Sequence, residues 1–177
     1  MELRGREIWG LLIPFSVLTV IIFAFTLPPL SELHSVVVPG FLWVVLLFSS
    51  MLMLGRRVSR EREYGTGEGL LLSPLPPVVI FFSSTVVSLV LQTLVSAVVA
   101  ALCFFFFPLS ITLWGLLHLG AALFLGALGL SVVGTLVGLA IARSPTKELL
   151  LPLLLFPLMT PVLIGGVKAT FAALEGG

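Results

Sequence analysis

Charge is what this sequence has least of. Lysine, arginine, aspartate and glutamate make up 10% of its 177 residues, where a soluble domain carries about 25%. Hydrophobic residues make up 59%, and mean hydropathy is +1.25. Such a chain cannot assemble a water-facing surface, so it belongs in a membrane. Aspartate is absent, and all eight acidic residues are glutamate. The single cysteine, Cys103, excludes an internal disulfide, a Cys-x-x-Cys metal or redox site and a Cys-x-x-Cys-His haem attachment. It reads as a small core residue beside residues 104–107. No Gly-x-x-x-x-Gly-Lys-Ser/Thr run occurs, so no P-loop can hold a nucleotide. Gly65-x-Gly67-x-Gly69 lacks the preceding strand and following lysine of a phosphate loop and reads as flexible chain. With no paired catalytic groups and no metal-ligand cluster, the sequence offers no catalytic residue and no metal site. It does not read as an enzyme.

What is present is a series of apolar runs separated by short polar or proline-bearing segments. The chain is expected to be all-α, a single polytopic transmembrane helix bundle over residues 1–177. Its spans are placed at about residues 10–27, 38–54, 78–107, 112–142 and 149–167. Arg4 and Arg6 ahead of a long apolar run have the layout of a signal peptide. The run is too long for one, and Ala24-Phe25-Thr26 is a poor cleavage site, so the first run is read as a retained span. Residues 1–9 are read as an interfacial helix or a frayed tail, with Trp9 at the membrane boundary. Residues 30–37 are expected to form an outer loop carrying Glu32 and His34. Pro39 would then open the second span as a first-turn proline. In this layout Arg4, Arg6, Arg56, Arg57, Arg60, Arg62, Arg143 and Lys147 share one side, and only Lys168 lies on the other. Positive charge marks the cytoplasmic side, so the N-terminus is expected inside and residues 168–177 outside.

The most distinctive stretch is residues 56–77, RRVSREREYGTGEGLLLSPLPP, which holds seven of the 17 charged side chains. A short charged helix leaves the membrane and is broken at Gly65, Gly67 and Gly69. Leucines then return to an apolar surface, and prolines start the next span. EREYGTGEGLLLSPLP resembles the cytoplasmic loop of ATP-binding-cassette (ABC) exporter permeases, acidic, Gly-Thr-x-Glu, Leu-rich, then Ser-Pro. Gly67 stands where the wider pattern has leucine. The LLLSPLP ending, Pro39-Gly40 within VVPGFLWVV and the proline-rich PLLLFPLMTPVLIGG resemble most closely the CcmB family, the haem-exporter B permeases of cytochrome c maturation.

The resemblance implies an ABC-2/CcmB-like permease, with five spans seen and a sixth expected near Ala173. The chain would then be a fragment or a shortened member. It also implies a coupling element that docks on a separate ABC ATPase subunit, formed by Glu61, Glu63, Tyr64, Gly65, Thr66, Glu68, Leu71, Leu72, Ser73 and Pro74. Carboxylates there can make charge-assisted hydrogen bonds to arginine or lysine of the partner. The competing reading is an amphipathic surface helix whose arginines lie among lipid phosphates. Other haem-handling membrane proteins would complete the complex in the bacterial inner membrane. No cofactor is expected to be held firmly, haem would be a substrate, and nothing points to nucleic acid.

His34 and His118 are the candidate haem contacts, since imidazole is a common axial ligand. The alternative makes His34 a solvated loop residue and His118 an interfacial histidine bonded within the bundle. Ser84, Ser88, Gln92 and Ser96 recur at every fourth position and form a polar stripe in the third span. Gln92 at mid-depth is expected to bond another helix or to line a path. Gly134-x-x-x-Gly138, with Gly126 and Gly129 nearby, is expected to allow close helix contact. No charged residue lies deep in a span, which argues against an ion-coupled carrier. A general ABC-2 exporter of a drug or lipid-linked polymer, or a membrane scaffold that transports nothing, remain the alternatives to haem export.

Overall fold

The computed structural model describes residues 3–27, 31–64, 76–109, 111–141, 144 and 146–175. These form five helices and no strand: α1 (Leu3–Thr26), α2 (Ser31–Tyr64), α3 (Pro77–Phe106), α4 (Leu113–Ile141) and α5 (Lys147–Glu175). Four carry stretches long and apolar enough to cross a membrane: Val36–Arg56, Pro77–Phe106, Leu113–Ile141 and Leu149–Glu175. The apolar part of α1, Leu12–Thr26, is shorter. Local chemistry sets several helix ends. Pro76 is extended ahead of α3, with Pro77 in its first turn, where a missing N–H costs nothing. The far end of α3 closes with the Phe107 amide donating to the Cys103 carbonyl before Pro108. The Thr112 hydroxyl accepts from the Gly115 amide at 3.1 Å and caps α4.

Two expected boundaries are corrected. Residues 31–37 are not loop, because α2 starts at Ser31 and Pro39 lies inside it. A proline removes one donor from a helix interior, and packing against neighbouring helices makes that tolerable within a membrane. The last helix does not stop near residue 167 but runs through Lys168 to Glu175. No breaker follows Gly165-Gly166, and alanine, leucine and lysine favour helix there. The prolines Pro152, Pro157 and Pro161 lie within the same continuous helix.

α2 is the centre of the bundle. Among the described residues it packs against all four other helices, whereas α1 packs against α2 and α3, and α5 against α2 and α4. Its span is 61% buried, against 22% for α5 and 33% for α3. Trp43, Val45 and Leu46 are fully buried in it, packed in one core with Leu12, Val20, Val99, Leu130, Val137, Leu155 and Met159. The outer surface is apolar, with Phe25, Phe105, Leu113 and Leu149 all strongly exposed. Water would not tolerate so continuous a patch, and lipid does.

Candidate functional site

At 34 residues, α2 is about 51 Å long, while a bilayer core is about 30 Å thick. It therefore crosses the membrane and carries residues 57–64 beyond its apolar span. Glu61, Glu63 and Tyr64 fall in these last turns, on a backbone continuous with the span. Gly65, Thr66, Glu68, Leu71, Leu72, Ser73 and Pro74 lie outside the described residues.

Polar groups inside the bundle tie α2 to its neighbours. The Gln92 amide of α3 donates to the Leu46 carbonyl of α2 at 3.2 Å, with Gln92 only 1% exposed. The expected interhelical hydrogen bond is therefore made. Ser16 of α1 donates to its own Leu12 carbonyl and stands 3.4 Å from Ser49 of α2. On the far side, the Trp43 indole fills a slot between α4 and α5. A Cβ on Gly126 or on Gly166 would overlap its ring, and its Nε1–H donates to Thr170 Oγ1 at 2.9 Å. A Cβ on Gly134 would come within 2.7 Å of Leu54 Cδ1, whereas one on Gly138 would lie 4.0 Å from Leu54 Cδ2. The expected close contact is therefore made at Gly126 and Gly134, and Gly166 of α5 joins Gly126 around Trp43. Sequence reasoning missed Trp43. Its signal was an indole N–H, a polar donor in a run of otherwise apolar side chains.

Of the two histidines, His34 departs from its expected loop setting. His34 is helical and buried, its ring edge-on to Phe107 at 5.2 Å between centroids. Phe107 also meets Phe41, which stacks on Phe23 at 4.8 Å. Three helix ends are thus joined by aromatic packing around His34, which is not a solvated loop residue. His118 lies on an exposed position of α4 and bonds its own helix, Nδ1–H donating to the Trp114 carbonyl at 2.8 Å. That bond leaves the lone pair of the neutral ring on Nε2. His118 is the reachable imidazole of the two. Among the described residues, no group of three or more His, Cys, Asp or Glu comes together to hold a metal ion.

A bundle of long apolar helices around one central helix, extended at one end by a charged segment, defines a polytopic helical membrane protein. The chain belongs to the CcmB protein family, whose model matches residues 1–176. It is accordingly a membrane component of the haem-export ABC transporter of cytochrome c maturation, a permease subunit that is not itself catalytic. Neither a curated protein nor a solved structure matches it.

Proposed function

We propose that this chain converts ATP hydrolysis by a separate ATPase subunit into movement of its helices. That movement would export haem, or release a haem-loaded chaperone, on the outer side of the bacterial inner membrane. The observation that carries this reading is α2, a continuous helix from Ser31 to Tyr64 that packs against every other helix. A force applied to its inner end, at Glu61 and Glu63, reaches the whole bundle as rigid-body motion. The basic residues at that end support a cytoplasmic position for it, on the side of the N-terminus. Gly65 to Pro74 would complete the docking element for the ATPase, and other haem-handling membrane proteins would receive the result.

One observation favours mechanical release over a path through this subunit. Gln92, the strongly polar side chain at mid-depth, bonds the backbone of α2. Of the two histidines, His118 is the one that haem iron could reach from outside the bundle.

The deciding experiment is a haem stain for covalently bound c-type cytochromes in a strain lacking this gene, with the full reading frame re-expressed as control. Loss of c-type haem with normal b-type haem is the expected result. Unchanged staining would put a general exporter of the ABC-2 kind, or a membrane scaffold, in its place.

A further inference from the structure

Lys168 is a cation inside an apolar span. It lies within Leu149–Glu175, the stretch of α5 long enough to cross a membrane, at an exposed position. Among the described residues no ion pair holds it. A charge so placed is costly in lipid and points to a functional counter-ion. Gly166 and Thr170, two residues to either side, are turned to the Trp43 indole. At about 100° per residue, Lys168 therefore points about 160° away from that ring, out of the bundle.

α4 brings a second group to the same place. A Cβ on Gly115 would strike the Ala173 carbonyl, and one on Gly129 would crowd Val162, which fixes the antiparallel register of α4 and α5. In that register His118 lies about 4 Å closer than Lys168 to the Leu113 end of α4, less than one turn. Round α4, Gly126 is turned to Trp43 and Gly129 to α5, and His118 stands about 20° beyond Gly129. Round α5, Gly166 is turned to Trp43 and Val162 to α4. Ala169, Gly165, Ala172 and Lys168 then follow in that order on the far side. His118 and Lys168 thus stand on either edge of one groove, on the side of the α4–α5 pair away from α2. Its floor is small. Ala169 and Ala172 are exposed alanines, and a Cβ on Gly165 would meet nothing within 4 Å.

We propose that haem docks in this groove as substrate, with one face on the small residues, its iron on Nε2 of His118 and a propionate carboxylate on the Lys168 ammonium. His118 donates Nδ1–H to the Trp114 carbonyl at 2.8 Å, which leaves the Nε2 lone pair for a metal and fixes the ring, as ligating histidines require. A carboxylate supplies the counter-ion that Lys168 lacks, and a charge-assisted bond of this kind is strong away from water. An apolar plate with a metal at its centre and carboxylates on its rim matches the floor and both edges. Because the groove opens to lipid, haem enters it sideways through the membrane and needs no pore in the bundle. The site deepens the haem-export reading above and rests on it.

The test titrates ferric haem into the full chain in lipid nanodiscs, with empty discs as reference, and follows the Soret band. The wild type is expected to saturate with the Soret shift of imidazole ligation. H118A and K168M should each bind at least tenfold more weakly, with unchanged thermal midpoints because both positions are exposed. Altered ligands assign the two contacts. Metal-free protoporphyrin, followed by its fluorescence, should be indifferent to H118A. Haem dimethyl ester, which has no free carboxylate, should be indifferent to K168M. No saturable shift in the wild type, or wild-type affinity in either variant, would overturn the site. So would a K168M loss that persists with the ester, since the lysine would then serve a lipid phosphate. If deleting the gene leaves c-type haem intact while haem still binds through both residues, the export reading fails and the site stands. If deletion abolishes c-type haem but the wild type binds none, the site alone fails.

Discussion

The indole of Trp43 and the hydroxyl of Thr170, 127 positions apart, share a 2.9 Å hydrogen bond inside the bundle. The ring reaches Thr170 only because Gly126 and Gly166 leave a slot on either side of it. An alanine at either position would force a fully buried ring to move, and overpacking of this kind costs about 1–3 kcal/mol. G126A and G166A should therefore lower the thermal midpoint in detergent clearly. G134A should cost less, because it meets only the end of Leu54, and G138A should be neutral. A midpoint more sensitive to G138A than to G126A would contradict the slot.

The hydrogen bond itself can be separated from the ring. W43F removes the donor, and T170V removes the acceptor and strands a buried indole N–H. Interhelical hydrogen bonds within membranes are worth about 0.6–2 kcal/mol. In a double-mutant cycle the W43F/T170V protein should therefore be more stable than the sum of the single losses predicts, by about 1 kcal/mol. Strict additivity would mean that the contact contributes packing alone.

Much of this architecture was legible in the residues, and the remainder depends on what lies opposite them. Pro76-Pro77 and Pro108 mark the ends of α3 by removing donors, so that span emerges almost unchanged. Gln92 had to pair because an amide in an apolar run has no water to turn to, and it pairs with α2. That Gly126 allows close helix contact was legible, but what it faces was not, because spacing gives a face and not its partner. The partner is Trp43, on another helix. His34 was misplaced for a different reason: Pro39 has the chemistry of a first helical residue, and only packing shows that α2 begins at Ser31. Of the candidate coupling residues, the structure describes the backbone of Glu61, Glu63 and Tyr64, in the last turns of α2.

The histidines should respond differently to replacement. His34 is buried against Phe107, so H34A removes an aromatic contact worth about 0.5–1.5 kcal/mol beyond the area it buries. It should lower the thermal midpoint. H118A, at an exposed position, should leave the midpoint unchanged. If His118 meets haem iron, H118A will still reduce c-type haem, and H118Q will not restore it. Full c-type haem yield in H118A would remove this residue from the haem path.

The charged end of α2 gives the most direct check on coupling. Glu61 and Glu63 lie on helical backbone continuous with Trp43 and the buried core, and Glu68 follows in the sequence. If these carboxylates engage arginine or lysine of the ATPase, replacing all three with alanine removes charge-assisted hydrogen bonds worth about 1.5–3 kcal/mol each. Binding of the ATPase to the purified permease should weaken at least tenfold, or ATP turnover should lose its dependence on the permease. The bundle should still insert, because these substitutions touch no apolar span. A purely lipid-facing role predicts the opposite: higher affinity for anionic vesicles, because negative charge is removed beside the arginines, with ATPase binding and c-type haem both intact. Measuring both on the same triple variant therefore decides whether this end of α2 is held by a protein or by the membrane.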